Sequence, residues 1–81
     1  MSEVRADVSN AFEDPTGVYF HADMTGRTMK VHILAETLKD MGSGMQSGEY
    51  AKFVQENEAA MQRLVDEAIE RGWDGPLTLI V

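Results

Sequence analysis

Cysteine is absent from the 81-residue chain, which excludes disulfides, thiolate nucleophiles and every zinc site built on sulfur. Basic residues are scarce: seven against fourteen acids give a net charge of −7. That is a poor surface for gripping phosphates, so direct nucleic-acid binding is not expected. No apolar run approaches the roughly 20 residues of a bilayer-spanning helix, so no membrane association is expected. The opening Met1-Ser2-Glu3-Val4-Arg5 lacks the apolar core of an export signal, and the expected location is the cytoplasm. What is present is ordinary for a globular protein: 43% hydrophobic and 26% charged residues. With no internal repeat or linker, residues 1–81 read as one domain.

Two stretches alternate with period two. Val18, Phe20 and Ala22 stand against Tyr19, His21 and Asp23; beyond Met24-Thr25-Gly26-Arg27, Met29, Val31 and Ile33 stand against Thr28, Lys30 and His32. Alternation on both sides of a Gly-containing turn is the pattern of a β-hairpin. A connection of two or four residues pairs positions whose numbers sum to 51. Ala22 then meets Met29, Phe20 meets Val31 and Val18 meets Ile33 on one face. The other face carries Tyr19 with His32, His21 with Lys30 and Asp23 with Thr28.

Helical spacing follows. Leu34, Leu38 and Met41 form a short stripe, and Gly42 suits the left-handed position that ends a helix. Gly42-Ser43-Gly44-Met45-Gln46-Ser47-Gly48 reads as a connection, with Ser47 as the N-cap of the next helix and Glu49 near its positive end. Residues 49–71 read as one long helix in which Tyr50, Phe53, Val54, Met61, Leu64, Val65 and Ala68 share a stripe. Gly72 ends it, and Trp73 packs back on its last turn. Asp74-Gly75-Pro76 makes a turn. Residues 77–81 read as a terminal strand beside the hairpin, with Leu77, Leu79 and Val81 toward the helices and Ile80 away. Val4-Arg5-Ala6-Asp7-Val8 alternates and can supply an N-terminal strand, while Phe12 and Asp14-Pro15-Thr16-Gly17 lead into the hairpin. The expected fold is a small α+β domain: an antiparallel sheet covered on one face by a short and a long helix.

The order Phe12, Asp14, Gly17-Val18-Tyr19-Phe20-His21-Ala22 and Gly26-Arg27, followed by Phe53 and Asn57 on the long helix, resembles a family of small bacterial proteins catalogued as domain of unknown function 1488. The resemblance covers residues 12 to 81. Glu58 departs from it, standing where a basic residue is expected. It implies an α+β fold and no activity.

Several residues carry potential chemistry. His21 and His32 lie diagonally on the outer hairpin face, with Asp23 as the nearest third ligand. Two imidazoles without ligand spacing are more simply solvated strand residues, one beside Lys30 and one on Tyr19, so no metal or cofactor is expected. Asn57 interrupts the apolar stripe and reads as a structural polar residue, its amide bonding backbone in the glycine connection or the first helix. Met29, Met61 and Met41 read as core, while Met45 reads as an exposed contact residue. Glu56, Glu58, Asp66 and Glu67 concentrate acid on the long helix, as a solvated face or as an imitation of nucleic-acid charge. Ser43 and Ser47 lack a nucleophile elbow and a base, and no phosphate loop is present, so no enzyme is expected.

The expected function is a non-enzymatic protein-interaction module. The alternative is an acidic inhibitor of a nucleic-acid-binding complex, of mobile-element or phage anti-defence type. Tyr19 and Ile80 on the outer sheet face, together with an open terminal edge, make a homodimer the expected assembly.

Overall fold

The computed structural model describes residues 4–24, 26–42, 46, 48–73 and 77–81. The chain runs β1 (Arg5–Asp14), β2 (Gly17–Met24), β3 (Arg27–Leu34), α1 (Ala35–Met41), α2 (Tyr50–Glu56), α3 (Glu58–Glu70) and β4 (Leu79–Ile80). The strands form one sheet in the order β1-β2-β3-β4. The α+β class is as expected. The hairpin register is too, with Phe20 opposite Val31, Ala22 opposite Met29 and Val18 opposite Ile33. All six are buried, in one core with Leu38, Tyr50, Val54, Met61 and Val65 from the helices.

The N-terminal strand is longer than its alternation indicates. β1 pairs antiparallel with β2, but its register shifts between Asp7 and Phe12. Ala6 and Val8 face the core before this bulge; beyond it, even-numbered Phe12 faces outward beside Tyr19. A bulge with an odd number of extra residues exchanges the two faces of a strand. β1 does not cover the terminal strand, as it lies at the opposite edge of the sheet.

The terminal strand is a correction. β4 pairs parallel to β3, with Val31 opposite Leu79 and His32 opposite Ile80, so the sheet is mixed and not antiparallel. Among the described residues three helices lie between β3 and β4, and a helical crossover returns the chain in its original direction. Leu79 and Val81 pack on the core, whereas Leu77 is 80% exposed instead of facing the helices.

The long helix is two helices. The Asn57 N–H donates to Val54 O (3.2 Å), three residues back, which leaves Phe53 O without its usual partner. Asn57 Nδ2 donates to Phe53 O (2.8 Å) and fills that place. The amide therefore bonds its own preceding turn and not the glycine connection or α1. The apolar stripe survives the break, with Val54, Met61 and Val65 all fully buried.

The start of α2 is served from afar: Glu13 accepts from Gly48 N and Ala51 N, so β1 caps the helix that covers it. The expected cap Ser47, and the turn at 74–76, lie outside the described residues. Gly42 is extended (φ −143°) and not left-handed. A Cβ there would sit 2.8 Å from the Phe53 ring, so close packing accounts for the glycine. Gly72 (φ +105°) is left-handed as expected, and Trp73 N donates to Ala68 O (3.0 Å) while Gly72 N donates to Ile69 O (3.0 Å). This is the Schellman arrangement. Met41, expected in the core, is 39% exposed.

Gln62, on the polar side of the stripe, does the work of a missing strand. Its Oε1 accepts from Ala6 N and its Nε2 donates to Val4 O, both at 2.7 Å, with Asp66 Oδ1 as a further acceptor. Gln55 Nε2 reaches Ser9 O (3.4 Å). Two helix side chains thus pair backbone along the free edge of β1 and blunt it against strand addition.

The face assignment has a direct consequence. Phe20→Ala should cost about 3–5 kcal/mol in chemical denaturation. Tyr19→Ala, on the opposite face, should cost no more than about 2 kcal/mol at concentrations where the chain is monomeric. Equal losses would contradict the register.

Candidate interaction surface

The helices cover one face of the sheet, and among the described residues no helix lies on the other. Four cross-strand partners form one row across all four strands: Phe12 opposite Tyr19, Tyr19 opposite His32, and His32 opposite Ile80. Phe12 and Tyr19 stack at 5.1 Å and 15°, and Tyr19 and His32 at 4.0 Å and 5°. Aromatic pairs of this kind are worth about 0.5–1.5 kcal/mol beyond the area they bury. The row ends are open to solvent, Phe12 55% and Ile80 63% exposed, while His32 is only 8% exposed. His32 is therefore stacked on Tyr19 as expected but is not solvated. Phe12 is the member that the alternation alone does not locate.

The rows alongside are polar and mixed in charge. Asp7, His21 and Lys30 align across three strands, as do Arg5, Asp23 and Thr28. His21 and His32 share this face, but among the described residues no three His, Cys, Asp or Glu side chains converge as metal ligands.

A turn fixes His32 from below the row. Asp14 Oδ1 accepts from Thr16 N (2.8 Å), Thr16 Oγ1 (2.5 Å) and Gly17 N (3.1 Å). Gly17 is obligatory here, since a Cβ would lie 2.0 Å from Ile33 O. The Thr16 hydroxyl also lies 3.1 Å from His32 Nε2. Its one proton goes to the carboxylate, so Nε2 carries a hydrogen and donates to Thr16 Oγ1. A histidine that donates to a hydroxyl does not activate it as a nucleophile, so this Asp-Thr-His chain orients the imidazole for stacking. The Thr16 hydroxyl, and then the backbone N–H groups of Thr16 and Gly17, hold the Asp14 carboxyl below its ordinary value of 3.8.

The sequence-predicted contact residues do not form one site. Tyr19 and Ile80 belong to the outer row. Glu56, Glu58, Asp66 and Glu67 lie on α2 and α3 in the opposite layer, where Glu56, Glu58 and Glu67 are exposed. Asp66 is half-buried and engaged by Gln62. Met45 lies outside the described residues. Among the described residues no helix is long and apolar enough to cross a membrane. Comparison with protein-family models, characterised proteins and solved structures returns no match.

Thr16→Val should move the Asp14 titration midpoint, followed by carboxyl carbon NMR, upward toward 3.8. Because folding lowers this pKa, the stabilisation it brings is present above the unfolded carboxylate range and is lost as pH falls through the folded value. The variant should therefore lose less stability on acidification than the parent. An unchanged midpoint would contradict the hydrogen-bond assignment.

Proposed function

We propose that this chain is a non-enzymatic, cytoplasmic protein-interaction module that needs no cofactor. Its contact surface is the outer face of the sheet, and a second copy of the chain is the occupant that face suits best. The observation that carries the reading is the Phe12–Tyr19–His32–Ile80 row, apolar at both exposed ends and stacked in the middle.

Charge supports self-association. The outer face mixes Arg5 and Lys30 with Asp7, Asp14 and Asp23. The acids Glu56, Glu58 and Glu67 stand on the helical layer, so two copies can approach by their sheets despite a net charge of −7 each. A two-fold axis along the strands would lay Phe12 of one copy on Ile80 of the other, the self-complementary arrangement of an isologous dimer.

Light scattering at physiological salt tests this. A mass of twice 9.0 kDa in the micromolar range is expected, falling to the monomer in Ile80→Lys. A monomer throughout, or a dimer unmoved by that substitution, would reject the reading.

A further inference from the structure

Of the four side chains in the outer row, only an imidazole changes charge near neutral pH. His32 stands between Tyr19 on β2 and Ile80 on β4, and its ring stacks on the phenol at 4.0 Å. Because Nε2 donates to Thr16 Oγ1 (3.1 Å), the neutral ring keeps its lone pair on Nδ1, where a proton adds. Nδ1 makes no hydrogen bond among the described residues, and no buried side-chain nitrogen or oxygen among them lacks one. In the single chain Nδ1 therefore meets water, although His32 as a whole is only 8% exposed.

Pairing of two copies changes these surroundings. The two-fold axis that lays Phe12 on the other copy's Ile80 also lays His32 on the other copy's Tyr19. Along the row the two His32 rings then stand one strand spacing apart, about 4.8 Å. An aromatic surface replaces water at Nδ1, and a second imidazole lies across the axis. Both changes disfavour a charged ring, the first by desolvation and the second by like-charge repulsion. Lys30, two residues along β3, and His21, diagonal to His32 on β2, supply positive charge on the same face. The Asp14 carboxylate, one hydrogen bond beyond Thr16 Oγ1, is committed to Thr16 N, Thr16 Oγ1 and Gly17 N. It serves paired and separate chains alike and does not offset what pairing adds. Tyr19 is the other titratable group in contact, Leu79–Ile80 on β4 brings no charge, and the helices lie on the opposite face. We propose that His32 is a proton switch on self-association: neutral rings let two outer faces close, and protonated rings part them. This rests on the outer face being the self-association surface. Two separate chains bind more protons than the pair, so acid shifts the equilibrium toward the single chain.

Sedimentation of the full chain at fixed ionic strength, from about pH 8 to about pH 5, spans the range in which an imidazole changes charge. The dimer dissociation constant should rise ten- to a hundredfold across it, a factor of about ten for each ring. His32→Phe, which keeps an aromatic stack and removes the proton site, should stay dimeric at both ends. His21→Gln should respond to pH as the parent does. A second reading needs no variant: the titration midpoint of the His32 ring protons, followed by NMR, should fall as protein concentration rises. Single chains at pH 8 would reject self-association and the switch with it. A dimer equally tight at pH 5, a His32 midpoint independent of concentration, or a His32→Phe dimer that acid still dissociates would reject the switch and leave self-association standing.

Discussion

The register in which β2 pairs with β3 governs everything else in this molecule. Because side chains alternate across a strand, one set of pairs, Phe20 with Val31 and Ala22 with Met29, becomes core, and the intervening set becomes surface. A slip of one residue would put Phe20 on the same face as Lys30 and His32, so neither face could be wholly apolar. Gly17 pins the register at its far end, where only a residue without Cβ can pass Ile33 O. The outer row and the turn that orients His32 both follow from that one pairing.

Polar side chains then finish what the backbone leaves incomplete. Asn57 supplies the N–H that Phe53 O lacks at the helix break, Glu13 supplies acceptors for the start of α2, and Gln62 pairs the free edge of β1. Each joins elements distant in sequence or mends a local interruption at a net gain of about 1 kcal/mol, and each would leave a backbone group wanting if removed. Gln62, with Gln55, keeps the free edge of β1 closed to further strands.

Much of this was legible in the residues. Period-two alternation identifies the hairpin and both of its faces, because a strand cannot bury Val18, Phe20 and Ala22 without exposing Tyr19, His21 and Asp23. The Gly72-Trp73 ending is equally local. The direction of β4 was not legible, since alternation is the same read either way and only the helical crossover sets it. The break at Asn57 was hidden because the apolar stripe continues through it. Phe12 escaped because the bulge interrupts the alternation of β1, although the tight turn at Asp14-Pro15-Thr16-Gly17 pairs 14 with 17, and by the same sum 12 with 19. His32 looked solvated only while Phe12 and Thr16 were unplaced.

If copies meet as proposed, they do so through the outer face and not the acidic helical layer. Solvent paramagnetic relaxation with a neutral gadolinium chelate, measured across protein concentrations, tests this most directly. Protons of Phe12, Tyr19, His32 and Ile80 should become shielded as concentration rises, while those of Glu56 and Glu67 stay accessible. An outer row equally accessible at every concentration, or shielding confined to the helices, would contradict it.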